Sequence, residues 1–436
     1  MHDAANAQLR RELRLREAVA LGVGGTVGGG VYVLVGAAAA EAGPAALVSF
    51  AIAFVAAILI ALPYAELACR FPLAGGGYAF ARSVLGRHVG FFMGWGFWGA
   101  YVFISGYVTL GFGGYLELLT GIPRTAGAAA IVVASLLLNL LGVRISGRVQ
   151  GCVVAVAIAA LALFAVWGMS AIDSENLRPF VPHGVAGVMS ASLLAFLAFG
   201  GFDMVAAAGE EVERPERNLA RAILITLAIV CALYLFVCFV ALGVAGPALL
   251  GASSSPLADA AGRLGGQAGR HLVTAAALLT TAATANAVLV VTSRIAFAMG
   301  RDGLLPRRLG HASKRGAPAR ALCLSAALML VVAATGSVGV AARAGGFLYV
   351  LHFLVPLVVL VVLRRRAETT GAGFHTPAPR LVLPLAFAAC AVLLVASGAS
   401  GALAGCAWLA LGAALHAVRL ARDRRSSKAA FEAARF

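Results

Sequence analysis

The sequence is organised around the stretch GVGGTVGGGVY, residues 22–32, which places six glycines inside the first apolar run of the chain. Glycine disfavours a helix by about 1 kcal/mol per residue relative to alanine. Close packing through small residues accounts for Gly24 and Gly28, which are four residues apart, but not for three glycines in succession. Residues 28–30 therefore predict a point where a membrane helix unwinds, which is tolerated at membrane depth only where the backbone lines a cavity.

The composition of the 436-residue chain favours a membrane protein with many helical spans. Hydrophobic residues make up 61% of the chain and charged residues 12%, and the mean hydropathy is +0.94. Soluble domains carry about 25% charged residues, so a soluble enzyme, a disordered regulator and a disulfide scaffold are all disfavoured. The seven cysteines form no CxxC pair and most lie in apolar runs, which predicts no disulfide and no metal site.

Twelve apolar runs are long enough to cross a bilayer, and only short segments join them. The sequence therefore predicts an all-α polytopic membrane protein with about 12 transmembrane helices and no separate soluble domain. The predicted spans are residues 18–40, 45–66, 89–117, 126–143, 149–171, 187–209, 222–246, 271–299, 319–335, 345–363, 381–397 and 400–418.

The distribution of positive charge predicts the orientation of the chain. A formal net charge of +16 is compatible with a nucleic-acid partner or with cytoplasmic loops that follow the positive-inside rule. If the N-terminus is inside and the spans alternate, 29 of the 34 basic residues lie inside and 5 lie outside. We therefore expect no nucleic-acid partner and cytoplasmic tails at residues 1–17 and 419–436. Only 2 of the 34 basic residues are lysine, which is typical of a GC-rich bacterial genome.

A second interruption lies in the sixth span, where Gly200 and Gly201 precede Asp203. Gly29 and Gly200 are 171 residues apart, about five spans, and two interruptions in corresponding places are typical of an inverted repeat with a midplane site. Two facing breaks present N–H groups to an anion and carbonyl groups to a cation, so the pair suits a zwitterion. The predicted organisation is a ten-helix core at 18–363, with repeats at 18–171 and 187–363, followed by two added helices at 381–418.

Several motifs follow each other along the chain in an order that is specific when the motifs are taken together. They are GGTVGGGVY at 24–32, LPYAEL at 62–67 with FP at 71–72 and GGGY at 75–78, GFD at 201–203 with GEEV at 209–212, RP at 214–215 and RN at 217–218, and Arg294 with AMGRDGLLP at 298–306. With these motifs the chain resembles the amino acid–polyamine–organocation transporter superfamily, close to its amino-acid permease branches. The resemblance implies a LeuT-type fold of five plus five helices in which helices 1 and 6 are broken.

The resemblance also implies a substrate site between the two broken helices. The substrate carboxylate would contact the backbone of residues 28–30, and the amino group would contact carbonyl groups around Phe196, Phe199 and Gly200. The aromatic residue that caps the substrate in many relatives aligns with Leu197, so we expect Phe199 or Phe202 to take that role. The complete set of expected substrate-binding residues is Thr26, Gly28, Gly29, Gly30, Tyr101, Tyr107, Phe196, Leu197, Phe199, Gly200 and Gly201.

Polar side chains inside the spans supply three candidates for ion coupling. Asp203 would take a proton or pair with a cationic group, or it would hold the break open by accepting hydrogen bonds from freed N–H groups. His352 would carry a proton, or it would be a neutral histidine bonded to a neighbouring helix. Thr281 and Thr284 on the eighth span would supply oxygen ligands to sodium.

One departure from the superfamily pattern bears on the coupling ion. Many relatives carry a lysine midway along helix 5, and that position falls on Ala157 here. Coupling through a lysine is therefore unavailable, and we favour protons as the coupling ion. Glu210 and Glu211, near Arg214 and Arg217, are expected to form an ion-pair network or inner gate at a cytoplasmic helix end.

The sequence thus predicts a plasma-membrane secondary transporter that moves amino acids by alternating access with no cofactor and no covalent chemistry. It contains no GxxxxGK[ST] loop, the sequence signature of a P-loop that binds nucleotide phosphates. Open alternatives within the class are an amine or polyamine permease and an amino-acid exchanger without ion coupling. Alternatives outside the class are a channel and a membrane-embedded enzyme.

Overall fold

The structure, a computed structural model, describes residues 13–72, 77–141, 147–207, 209, 211–311, 318–366 and 373–433, and it is built from helices. Short 3-10 turns and irregular segments join the helices. The α-helices are α1 (Leu15–Thr26), α2 (Gly29–Ala42), α3 (Ala46–Arg70), α4 (Gly77–Thr120), α5 (Arg124–Leu140), α6 (Gly147–Gly168), α7 (Gly184–Ala198), α8 (Asp203–Ala207), α9 (Pro215–Ala245), α10 (Pro247–Ala252), α11 (Pro256–Arg301), α12 (Ala319–Ala334), α13 (Val338–Arg365), α14 (Pro379–Ala396) and α15 (Gly398–Ala433).

The predicted all-helical membrane architecture is confirmed. Nine helical segments of the described chain are long and apolar enough to cross a membrane, one of them spanning both α2 and α3, and α5 and α12 are shorter apolar helices. Several helices extend past the apolar runs that predicted them. α4 begins before a kink at Gly86 (φ 86°), and α11 begins before a kink at Gly266 (φ 56°). A hydropathy pattern cannot show these extensions because the added turns are polar or glycine-rich.

Both predicted helix breaks are present. α1 ends at Thr26 and α2 begins at Gly29, so residues 27 and 28 interrupt the first span. Of the predicted residues 28–30 only Gly28 lies in the break, because Gly29 and Gly30 form the first turn of α2. α7 ends at Ala198 and α8 begins at Asp203, so residues 199–202 interrupt the sixth span. Above the first break the two broken helices approach closely, since a Cβ added at Gly30 would lie 2.9 Å from the Ala198 Cα.

The helices around the breaks form one packed group. α2 packs on α7, α3 packs on α7 and α9, and α1 packs on α8 and α9. α4 lies beside this group and contacts α5, α11, α12 and α13, while α14 and α15 pack on the outside against α3, α4, α7 and α13. Outer helices expose large apolar side chains, such as Val166 at 67%, Val331 at 67% and Val395 at 83%. Such surfaces are stable in lipid rather than in water, which makes the chain a multi-pass membrane protein.

Two tryptophans join α15, the last helix, to α4. Trp95 Nε1 of α4 donates to the carbonyl of Trp408 on α15 at 2.7 Å, and Trp408 Nε1 donates back to the Trp95 carbonyl at 2.9 Å. Their rings stack with centroids 4.9 Å apart. The reciprocal pair satisfies both indole N–H groups in an apolar interface, where an unpaired donor would be costly.

The two ends of the helix group differ in their charged contacts. At one end Glu66 of α3 pairs with Arg70 and with Arg364 of α13, and we call this the arginine-rich end. At the other end of α13, Arg343 forms an ion pair with Glu41 in the last turn of α2. Each end is therefore tied by ion pairs between different segments.

Replacing Gly30 with alanine is expected to lower the unfolding free energy by about 1–3 kcal/mol, because the new methyl group would meet α7 backbone that cannot rotate away. Melting temperature in detergent measures the effect. The control is Gly151→Ala on α6, where a Cβ meets nothing within 4 Å, and it should leave the melting temperature unchanged or slightly raised. Equal melting temperatures for the two variants would contradict the close contact.

Candidate substrate site

The two helix breaks touch each other through backbone atoms. A Cβ added at Gly201 would lie 2.5 Å from the Gly25 carbonyl oxygen and 2.9 Å from the Thr26 nitrogen. Gly201 also has φ 119°, a conformation that side chains rarely adopt. Only glycine fits this position, and the structure thus brings the two predicted breaks to one level of the bundle.

The first break is bordered by α4 and α11. A Cβ on Gly28 would lie 2.4 Å from the Thr284 Oγ1, and one on Gly29 would lie 3.4 Å from Val108 and 3.5 Å from Thr281. Thr281 and Thr284 therefore lie at the break, as the sequence suggested for a coupling site. Their hydroxyls donate to carbonyls one turn earlier on α11, at 2.6 Å and 2.8 Å. The oxygen lone pairs remain free to accept.

The start of α2 is a helix N-terminus without a side-chain cap. The helix begins at Gly29 with Gly28 as its N-cap, and no side-chain cap satisfies its first N–H groups. The first four N–H groups of any helix lack intrahelical partners, and the helix dipole makes this end positive. The opposing carbonyl end of α1 is satisfied, since the Tyr234 hydroxyl donates to the Thr26 carbonyl at 2.8 Å. The Thr26 hydroxyl itself donates to the Gly22 carbonyl.

The second break is a tight turn. The Phe199 N–H donates to the Phe196 carbonyl at 3.1 Å, and the Gly200 N–H donates to the Leu197 carbonyl at 2.9 Å. The sequence predicted carbonyls around Phe196, Phe199 and Gly200 as partners of the substrate amino group, and of these the Phe196 carbonyl accepts a bond within the turn. Each carbonyl has two lone pairs, so one acceptor position on each remains for that role.

The predicted capping aromatics turn toward other helices in this structure. The Phe199 ring contacts Phe50 on α3 and Tyr234 on α9, with centroid separations of 6.1 Å and 5.6 Å. The Phe202 ring stacks on Phe353 of α13 at 5.2 Å. Leu197 packs on α13, where a Cβ on Gly346 would lie 2.5 Å from the Leu197 Cδ1. In the described part of the chain these three side chains therefore pack against neighbouring helices.

Asp203 is the acid of the site, and two tyrosines hold it. Its side chain is 3% exposed. Oδ1 accepts from the Tyr349 hydroxyl at 2.8 Å, and Oδ2 accepts from the Tyr101 hydroxyl at 3.4 Å. The Tyr349 hydroxyl also accepts from the freed Gly201 N–H at 3.3 Å. One short network thus joins the second break to α4 and α13.

Tyr349 was missed by the sequence reasoning, whereas Tyr101 was predicted at the site. The available signal was a tyrosine within an apolar span, three residues before His352. Tyr107, the other candidate on α4, is buried at 5% exposure. The polar partner of Tyr349 is 146 residues away in sequence, so spacing could not identify it.

A cavity of about 320 Å³ extends from Asp203 toward the arginine-rich end. α4, α8 and α11 form most of its wall. Its lining residues are Tyr64, Gly77, Tyr78, Phe97, Tyr101, Asp203, Met204, Val291, Arg294, Ile295, Ala298, Met299 and Arg301.

His352 lies behind the wall of this cavity. It is 3% exposed, and its ring stacks on Phe97 with centroids 4.0 Å apart. A Cβ on Gly77 would lie 3.2 Å from the His352 Nε2. Neither ring nitrogen has a hydrogen-bond partner within the described part of the chain. The expected bond to a neighbouring helix is therefore absent among those residues, and the role of His352 as a proton carrier stays a prediction.

The predicted network of Glu210 and Glu211 with Arg214 and Arg217 stays a prediction. Glu210 lies outside the described residues. The Glu211 carbonyl accepts from the Leu13 N–H at 2.9 Å, and the Glu213 N–H donates to the Leu13 carbonyl at 2.8 Å. Arg14 lies 3.8 Å from Glu213. The N-terminal segment is thus bridged to this loop by backbone bonds and a weak surface ion pair.

Glu66 is buried at the arginine-rich end. Its carboxylate is 0% exposed and accepts from Arg70 at 2.6 Å, from Arg364 at 2.8 Å, and from the Thr376 N–H and hydroxyl at 2.9 Å and 2.6 Å. Four donors compensate the cost of removing the carboxylate from water. This cluster joins α3, α13 and the segment before α14.

A second polar cluster lies at the mouth of the cavity. The Tyr78 hydroxyl donates to Asp302 at 2.7 Å, and Arg82 also donates to the Asp302 carboxylate. Burial, with the adjacent Asp302 carboxylate, raises the pKa of Tyr78 to about 12. Tyr78 therefore remains a hydrogen-bond donor throughout the physiological pH range.

At the position on the fifth span where many relatives carry lysine, this chain has Ala157, and a backbone carbonyl makes the polar contact. Ala157 is fully buried on α6, and its carbonyl accepts from the Tyr32 hydroxyl of α2 at 3.2 Å. A tyrosine hydroxyl thus links α2 to α6 near the first break, with no formal charge on either partner.

Comparisons with known proteins extend over nearly the whole chain. The model of a family described as amino acid permease matches residues 13–414. The chain is 32% identical over 423 residues to an uncharacterized transporter of Mycobacterium tuberculosis, which covers 96% of this chain and 93% of that protein. A methylthioribose transporter of Bacillus subtilis is 30% identical over 397 residues, 86% of each chain. A branched-chain amino acid permease of Bacillus subtilis is 28% identical over 430 residues, 94% of this chain and 92% of that protein.

Replacing Tyr349 with phenylalanine is expected to lower the unfolding free energy by about 1–3 kcal/mol, since Asp203 and the Gly201 N–H both lose a buried partner. The same variant should change the pH dependence of transport, because the environment of Asp203 changes. The control is Tyr115→Phe, which removes a buried hydroxyl bond to the Tyr32 carbonyl away from Asp203. It should lower stability while leaving the pH profile unchanged. Identical pH profiles for Tyr349→Phe and wild type would contradict the conclusion that Tyr349 influences Asp203 during transport.

Proposed function

We propose that this chain, which belongs to the amino acid permease family, moves amino acids across the plasma membrane by alternating access with coupling to protons. It is a multi-pass membrane transporter, as the family, the named relatives and the apolar helices show. The observation that supports an amino-acid substrate is the contact between the two breaks, where Gly201 meets Gly25 and an uncapped helix begins at Gly29.

The break geometry provides separate positions for the two charges of an amino acid. The free N–H groups at the start of α2 would bind the carboxylate, with the positive helix end adding to the attraction. The carbonyls of Phe196 and Leu197 at the end of α7, together with Asp203, would bind the ammonium group. A zwitterion matches both positions, whereas a simple amine would leave the α2 end without a partner.

The arrangement of open and closed ends is that of an inward-facing carrier. The positive-inside rule assigns the arginine-rich end to the cytoplasm. The cavity leads from this end to Asp203 and Tyr101. At the opposite end Glu41 bonds to Arg343 and accepts from Ser190 at 3.0 Å, which ties α7 and α13 together. Transport would require the ion pairs of each end to open and close in turn.

Asp203 is the group that we assign to proton coupling. It is a buried acid beside the second break and lies at the head of the cavity. With alanine at position 157, the chain has no lysine at the helix-5 position, and a proton on Asp203 would replace that charge. Protonation would change its interaction with the substrate ammonium group, which links proton binding to substrate binding.

A second candidate is an amino-acid exchanger without ion coupling, which the uncharged Ala157–Tyr32 contact favours. An amine or polyamine permease is less well supported. A dication would require two acidic partners, and Asp203 is the only acid that lines the cavity in the described part of the chain. The relatives carry different substrates by name, methylthioribose in one case and branched-chain amino acids in another.

The function is tested with purified protein in proteoliposomes. We expect saturable counterflow of at least one of the twenty labelled proteinogenic amino acids, and stimulation of uptake by an inwardly directed proton gradient. Empty liposomes are the control. Saturable uptake that the proton gradient does not change would support the exchanger. Ion conductance without substrate saturation would exclude a carrier.

Replacing Asp203 with asparagine is expected to abolish the stimulation by a proton gradient and to lower the uptake rate at least tenfold. The amide keeps the size of the side chain but cannot take up a proton. Counterflow at equal pH on both sides measures whether exchange survives. The control is Asp173→Asn, an exposed acid in the segment before α7. A wild-type rate with an unchanged pH dependence would remove Asp203 from the mechanism.

A further inference from the structure

The part of the cavity around Arg294 lies at a different level of the bundle from the helix breaks. Thr284 of α11 contacts Gly28 at the first break. Arg294 lines the cavity and follows ten residues later on the same helix, which is about 15 Å along the helix axis. A molecule held by Arg294 would thus occupy a second position on the path to the arginine-rich end.

The cavity carries opposite charges in different parts of its lining. Asp203 lies beside the second break, and Arg294 and Arg301 lie farther along α11 toward the arginine-rich end. Within the described residues Arg294 makes no ion pair, and Arg301 makes a contact of 3.9 Å with Asp302. A guanidinium group offers parallel N–H donors that match a carboxylate. Arg294 is therefore available to an anionic group in the cavity.

The walls between these charges are apolar. Val291, Ile295 and Ala298 share one face of α11 through spacings of three and four residues, and Phe97 and Met204 face the same space from α4 and α8. A hydrocarbon side chain would be removed from water there without losing a hydrogen bond. A charged side chain would lose its hydration and find no partner on this wall.

We propose that the cavity is a second binding position for neutral amino acids with apolar side chains. Arg294 binds the carboxylate, Asp203 faces the ammonium group, and the apolar wall of α11 receives the side chain. Two arginines against one aspartate give the lining a net positive charge, which disfavours cationic amino acids. This inference rests on the proposed function and adds the substrate class and a carboxylate-binding residue on the cytoplasmic path.

The test compares transport of labelled L-leucine from the two faces of the membrane, with inside-out and right-side-out vesicles from cells that produce the full chain. In inside-out vesicles Arg294→Gln should raise the KM for L-leucine about tenfold, because a charge-assisted bond to the carboxylate is lost. Right-side-out vesicles should show a change of less than about twofold. Arg294→Lys keeps the charge and should restore most of the affinity. The matched control is Arg307→Gln, an exposed arginine beyond α11 that should leave both KM values unchanged.

Selectivity provides a readout that a structural role of Arg294 would not move. L-Arginine should inhibit L-leucine transport weakly in wild type and more strongly in Arg294→Gln, since a repelling charge is removed. An unchanged KM in inside-out vesicles, or an equal rise at both faces, would overturn the second position. Transport of other amino acids but not L-leucine would overturn the substrate class. Failure of the wild type to carry any amino acid would instead refute the proposed function itself.

Discussion

The contact between two interrupted membrane helices is the constraint on which the rest of the structure depends. Gly201 approaches the Gly25 carbonyl so closely that no side chain fits, and Gly30 approaches the Ala198 backbone in the same way. Lipid offers no water to satisfy a broken helix, so every freed backbone group needs a partner in the protein or its cavity. The Tyr234 hydroxyl donates to the Thr26 carbonyl, and the Tyr349 hydroxyl accepts from the Gly201 N–H. The uncapped start of α2 is left for a ligand.

Asp203 adds a buried carboxylate to this backbone arrangement. A buried carboxylate is costly unless hydrogen bonds or a cation compensate it. Tyr349 and Tyr101 supply two bonds from α13 and α4. The carboxylate has lone pairs beyond these two bonds, and the cavity reaches it from the arginine-rich end. A molecule that enters the cavity can therefore reach this carboxylate, as the proposed link between substrate and proton requires.

The two ends of the molecule carry ion pairs of different kinds. Glu66 is buried and holds two arginines and Thr376 at one end. Glu41 is partly exposed and pairs with Arg343 at the other end. A partly exposed pair is weaker than a buried cluster with several donors, because water competes for its charges. Separating the Glu66 cluster would leave buried charges without partners, whereas the Glu41 pair can exchange its partner for water.

The sequence by itself determined the membrane class, the helical architecture and the positions of both breaks. These follow from local properties, since apolar length fixes a span and a cluster of glycines weakens a helix. The first break nevertheless falls at residues 27 and 28, and Gly29 and Gly30 begin α2. The glycines at both breaks, and Asp203 beside the second break, could be identified because they stand out within apolar runs. Only the tertiary structure decided that Tyr349 bonds to Asp203, that Glu66 is buried, and that Phe199 turns toward α3. Those outcomes depend on partners far away in sequence and on which way a side chain points within a packed bundle, and neither is encoded in spacing along one helix.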